Sequence, residues 1–166
     1  MESRAKLFGH PIHQMLIVFP LGLLATAVAF DVAYLLTDNG RWADIAFWLI
    51  VAGLLSGAAA AVFGVVDWSA IPSGTRAKRV GALHGVGNAV VLALYAGSWL
   101  LRRDATTAPE GLALALSFAG AGLALVTAWL GGELVDRLGV GVDDGANLDA
   151  PSSLSGRPAG GRTTAM

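Results

Sequence analysis

Apolar residues gather into four long runs, at positions 15–36, 45–66, 80–101 and 111–132, while charged residues collect in the short breaks between them. Only Asp31 interrupts a run. At 1.5 Å rise per residue, a run of about 22 residues spans roughly 33 Å as a helix, which matches a hydrocarbon core crossed with modest tilt. None of the runs carries the polar stripe that a soluble bundle helix turns to water, and none alternates as a barrel strand does. In lipid each unpartnered backbone group costs several kcal/mol, so an isolated apolar run must satisfy its own backbone as a helix. The pattern therefore predicts an all-α fold, an integral membrane antiparallel four-helix bundle over 1–142 with spans of about 14–36, 43–66, 80–101 and 111–134. Positions 143–166, rich in Gly, Ser, Pro, Ala and Asp, read as a disordered cytoplasmic tail.

The flanks of the runs carry the next layer of information. One side has Arg4, Lys6, Arg76, Lys78, Arg79 and Arg137 near the spans, and the other has Arg41, Arg102 and Arg103. Six against three predicts a multi-pass protein of the plasma (inner) membrane with both termini cytoplasmic. Trp42 and Trp99 then fall at the outer interface and Trp68 and Trp129 at the inner one, as an aromatic belt requires. Arg4 and Lys6 before an apolar run, with Ala27-Val28-Ala29 after it, resemble a cleavable leader. That run continues to Leu36, too long for a leader, so it is read as the first span.

Composition agrees with this picture. The 166 residues are 55% apolar and 14% charged, against about a quarter charged in soluble domains. Net charge is -1 and no long basic run exists, so nucleic acid is not an expected partner and the lipid bilayer is. The absence of cysteine removes disulfides, thiol nucleophiles, zinc–cysteine sites and any iron–sulfur cluster held by this chain alone.

Chemistry concentrates at the inner ends. In GHPIHQML, Pro11 is placed at a helix's first residue, so that Gly9 or His10 caps it and His13 lies in the first turn. His13, Pro20, Leu24 and Asp31 share one stripe of the first span. An ionisable residue within a span faces the bundle interior as a rule; Asp31, near the outer end, is expected to reach water or pair with Arg41. The third span opens VGALHGVGN, with His84 about one turn inside the boundary and Asn88 one turn deeper on the same face. Gly81 and Gly85, like Gly53 and Gly57, form GxxxG pairs that permit close approach of a helix or a flat cofactor. The second span ends at Asp67 and the fourth at Glu133 and Asp136. A carboxylate at a helix C-terminus opposes the macrodipole, so Asp67 and Glu133 call for partners such as histidinium, Arg137, the loop from Arg76 to Arg79 or a metal.

Antiparallel threading gathers His10, His13, Asp67, His84 and Glu133 at one level. Four readings follow. A transition metal is held by His10, His13 and His84 with Asp67 or Glu133. Alternatively, one haem b is held by His84 and either His13 or His10, beside Asn88. In the third reading these groups only cap helix ends at a wet interface, and in the fourth, carried by Asp31, the chain is a small transport element. Three histidines cannot serve two bis-histidine haems. Nucleotide-binding glycine loop, nucleophile elbow and HExxH are all missing, so no catalytic residue is assigned. The leading expectation is a redox or metal-binding subunit with a membrane or redox protein partner; the alternative is a cofactor-free partner protein.

GHPIHQMLIVFPLGLL, RVGALHGVGNAVVLALYAGSWLLRR and WLGGELVDRLGVGV resemble the bacterial family called domain of unknown function 2231, over roughly residues 7 to 142. The GHPxH segment followed by FPxGLL is the most specific part. The resemblance implies four spans and a plasma-membrane location, and no established reaction. The family pattern also places a histidine after GGELV, where this chain has Leu138.

Overall fold

The computed structural model describes residues 1–160. A two-residue hairpin, β1 (Lys6–Leu7) and β2 (His10–Pro11), precedes five helices: α1 (Ile12–Leu16), α2 (Val18–Thr37), α3 (Gly40–Ala70), α4 (Arg76–Arg102) and α5 (Gly111–Gly132). α1 and α2 together form one span, Ile12–Thr37, and α5 runs on through a π turn, Glu133–Arg137. Four helices are thus long and apolar enough to cross a membrane, and the bundle expected from the apolar runs is the fold.

The first helix starts differently from the expectation. Phe8 and Gly9 both have positive φ, 51° and 85°, and make the tight turn that pairs Lys6 with Pro11 and Leu7 with His10. Pro11 then sits before the helix in an extended conformation, φ -61° and ψ 120°, and helix begins at Ile12. His13 remains in the first turn. The interruption at Ile17 has a covalent cause, because Pro20 has no N–H to give the Leu16 carbonyl.

Helices extend beyond the apolar runs because their ends are capped. Asn39 accepts from the Arg41 N–H at 3.1 Å to start α3, and Thr75 accepts from the Lys78 N–H at 3.1 Å to start α4. α2 stops at Asp38, in the left-handed region, whose N–H donates to Tyr34 O at 2.8 Å.

Packing is inverted relative to a soluble bundle. Leu36, Leu125 and Leu55 are 80, 75 and 70% exposed, whereas fully buried positions are mainly small, including Ala27, Ala43, Ala46 and Ala113. Large apolar residues outside and small ones between helices are what lipid contact and close helix approach require. Leu24, Ala27, Ala46, Ile50, Val91 and Tyr95 form the core. α2 packs most closely on α3 and α4 on α5, and α3 joins the two pairs against α4.

Candidate functional site

Two polar centres are built into opposite ends of the bundle. At the histidine end, His13 Nδ1 is 2.8 Å from Ala60 O on α3, and His84 Nδ1 is 2.8 Å from Thr127 O on α5. Each carbonyl already accepts the helical N–H four residues on, that of Gly64 or Gly131. Side chains on a helix lean over the preceding turn, so a residue at 64 or 131 normally covers that carbonyl. Glycine leaves it open. A Cβ on Gly64 would lie 2.9 Å from His13 Cε1, and one on Gly131 would lie 3.1 Å from His84 Cε1. A carbonyl only accepts, so Nδ1 is the donor in both rings, and in a neutral imidazole that leaves the lone pair on Nε2.

Around His84 this arrangement grows into a network. Asn88 Nδ2 lies 3.1 Å from His84 Nε2, and Asn88 Oδ1 accepts from Thr127 Oγ1 at 2.9 Å. Asn88, singled out with His84 from the helical spacing, does lie against the ring. His13 has the same Nδ1 anchor but no equivalent of Asn88; position 17 is Ile17.

The remaining members of the expected cluster are engaged elsewhere. Asp67 accepts from Ser3 Oγ at 2.7 and 2.8 Å, from the Arg4 N–H at 2.8 Å and from the Ala5 N–H at 3.3 Å. The compensation its place near the end of α3 demands comes from the N-terminal backbone, a partner set that charge counting had no means to find. Glu133 pairs with Arg76 at 2.7 Å, one of the cations foreseen for it. His10 is exposed and meets Ser153 at 3.3 Å. Among the described residues, no group of three or more His, Asp or Glu side chains is arranged to hold a metal ion. The structure brings His84 and Asn88 together, sets His13 in a matching position, and disperses His10, Asp67 and Glu133. The GxxxG pairs are also used differently: Gly81 receives the Trp68 indole, 2.8 Å from a built Cβ, and Gly53 and Gly57 receive Leu24 and Leu92.

At the opposite end Asp31 is wholly buried, which corrects its expected placement toward water or Arg41. Arg102 Nη1 and Nη2 donate to its two oxygens at 2.6 and 2.7 Å. Ser117 Oγ donates to Asp31 Oδ2 at 2.8 Å, and Arg102 Nε donates to Ser98 Oγ at 3.1 Å. Ser98 Oγ in turn donates to Ala113 O at 2.6 Å. The reason is dielectric: a lone carboxylate among apolar helices is far costlier than a fork-shaped pair with its remaining lone pairs satisfied. In the sequence Arg102 reads as a flanking charge and Ser98 and Ser117 carry no signal, because a terminal arginine looks like an interfacial anchor until the fold turns it inward.

Four apolar helices with ionisable groups confined to their interior and their ends define a polytopic helical membrane protein. Residues 9–144 match the model of the family described as "Predicted membrane protein (DUF2231)", so the chain belongs to that family. No curated protein and no solved structure matches the chain.

Proposed function

We propose that the chain is a haem-binding redox element of the plasma membrane, with both termini in the cytoplasm; His13 and His84 are the residues that would hold the haem. The observation that carries this reading is the matched state of the two rings. Ligating histidines as a rule donate their second ring N–H to a carbonyl or carboxylate, which fixes the tautomer and aims the other nitrogen at the metal. His13 and His84 both do so, through Ala60 and Thr127, on different spans at one end of the bundle. The donor set, two imidazoles in a chain without cysteine, fits a b-type haem. It does not suit a structural zinc site, which takes four ligands, since Asp67 and Glu133 are held by Ser3 and Arg76.

When bound, such a group supplies one-electron exchange; the protein's part is to hold and insulate it. Gly64 and Gly131 let the rings lie against the helices, Ala60 and Thr127 orient them, and Asn88 occupies the His84 lone pair until a ligand displaces it. Orientation is supported by the basic residues. With Arg102 withdrawn into the core, the described residues flanking the spans leave Arg41 and Arg103 at the end opposite the histidines against Arg4, Lys6, Arg76, Lys78, Arg79 and Arg137.

The second reading is a cofactor-free bundle, favoured by the saturation of both His84 nitrogens. Purification in detergent from haem-supplied cells, followed by haemin titration, separates the two. A Soret band that both His13→Ala and His84→Ala abolish, with helical content unchanged, is the expected result. A colourless protein that takes up no haemin would leave only the cofactor-free bundle.

A further inference from the structure

We infer that the bundle is an internal duplication: the hairpins Ile12–Thr37 with Gly40–Ala70, and Arg76–Arg102 with Gly111–Arg137, are two copies of one unit, each shaped to pair with the other about a two-fold axis along the bundle, and Asp31–Arg102 is the joint on that axis. This goes beyond the haem reading and does not depend on it.

The correspondence is positional. Asp31 and Arg102 are 71 residues apart, and so are Leu24 and Tyr95, whose hydroxyl donates to Leu24 O at 3.2 Å. His13 and His84 keep the same 71-residue offset. On the second helix of each hairpin the offset is 67, from Ala60 to Thr127, which accept from the two rings, and from Gly64 to Gly131, which lie beneath them. Gly53 and Gly120 obey it too: Leu24 lies against Gly53, and Tyr95 comes 2.9 Å from a Cβ built on Gly120.

Burial repeats with the same offsets. The buried residues of α2 are Leu24, Ala27 and Asp31, and their counterparts Tyr95, Ser98 and Arg102 are buried. Every buried residue of α5 has a buried counterpart on α3 as well: Ala46, Phe47, Ile50, Gly53 and Ala60. The end of α3 at Ala70 maps onto the end of the π turn at Arg137. The copies diverge where α3 lies closer to α4 than α5 does to α2: Gly57 receives Leu92 and Pro20, and its counterpart Ala124 is only partly buried.

Both hairpins start at the histidine end, so the axis runs along the bundle, as for parallel repeats in transporters. In a two-fold pair, a residue that touches its own counterpart lies on the axis. Leu24 with Tyr95, and Asp31 with Arg102, meet that condition. At such a point two identical hairpins would oppose two carboxylates or two guanidinium groups in a water-free core. Unlike copies alone form a neutral pair, so the charge difference selects pairing of first with second half over either with itself.

The test exchanges the three central pairs in the full chain: Asp31→Arg with Arg102→Asp, Ala27→Ser with Ser98→Ala, and Ile50→Ser with Ser117→Ile. Arg102→Asp alone and Asp31→Arg alone place like charges together, and loss of monodisperse protein in detergent is expected for each. The six-residue exchange is expected to recover wild-type yield and helicity. If it fares no better than the single variants, the joint is refuted. Independently, spin labels are placed in this cysteine-free chain at exposed positions. Phe19→Cys with Ala59→Cys, and Val90→Cys with Val126→Cys, are related by the axis, lie within the two hairpins where the packing of the copies matches, and are expected to give one common distance. Distinct distances refute the duplication whatever the exchange does.

Discussion

At the residue scale, position and partner decide what a side chain is worth here. Gly64 and Gly131 lack the Cβ that would cover an already bonded carbonyl, and the imidazoles take its place. Asp31 and Arg102 show the reverse economy: two charges that separately could not stay in lipid are each other's condition for burial. Removing one member leaves the other uncompensated. Arg102→Leu is therefore expected to cost about 3–5 kcal/mol, while Asp31→Leu combined with Arg102→Leu is expected to be neutral or stabilising by about 1–4 kcal/mol. Equilibrium unfolding in mixed detergent measures both, and a double variant as damaged as the single one would contradict the account. The alternation of ring and glycine was not legible in advance, since a glycine-rich apolar chain offers many glycines and only contact tells which face a ring. Asn88 beside His84 was legible, because residues four apart on a helix share a face.

At the scale of elements, helix limits follow from caps and from proline more than from hydropathy. Apolar runs place the four spans but end them early, because Asn39 and Thr75 extend helix into polar sequence by satisfying free N–H groups. Thr75→Ala removes one such acceptor and is expected to cost about 1 kcal/mol without altering the bundle. Thermal or denaturant unfolding reads that loss, and substitution by Ser at the same position is expected to restore it. Around this cap Lys78 lies 3.9 Å over the Trp68 ring and donates to Trp68 O at 2.8 Å, while Trp68 Nε1 donates to Lys78 O at 3.1 Å. The turn between α3 and α4 is thus stapled at the level where the aromatic belt was expected. Pro20 acts in the opposite sense, opening one helical bond and dividing α1 from α2.

At the scale of the whole molecule, the histidine end also holds the N-terminal residue and the segment after α5. The Met1 amino group donates to Gly139 O at 2.9 Å, and the Gly141 N–H donates to Met1 O at 2.9 Å. Beyond it, the described part of the tail has only turns and a short 3-10 segment, Ser153–Ser155; residues 161–166 lie outside the described residues. The proposed orientation predicts that alkaline phosphatase fused after Asp104 is active and that the same reporter fused after Asp144 is inactive. The opposite pattern would reverse the topology and place the histidines at the outer face.

Fold class was settled by the sequence itself, because hydrocarbon admits a single apolar segment only as a helix, and four such segments joined by short breaks can only run antiparallel. The polar ends were visible for the same reason, since charges excluded from the spans have nowhere else to be. Which polar groups meet is a different question, and only tertiary structure answered it. His10, Asp67 and Glu133 share a level with the two ligand-like histidines yet satisfy themselves locally, with Ser153, Ser3 and Arg76. Asp31 and Arg102, far apart in the chain, are joined by helix rotation and packing. Hydropathy is a property of position along one helix; a hydrogen bond depends on the azimuth of two, and that is set only when the helices pack.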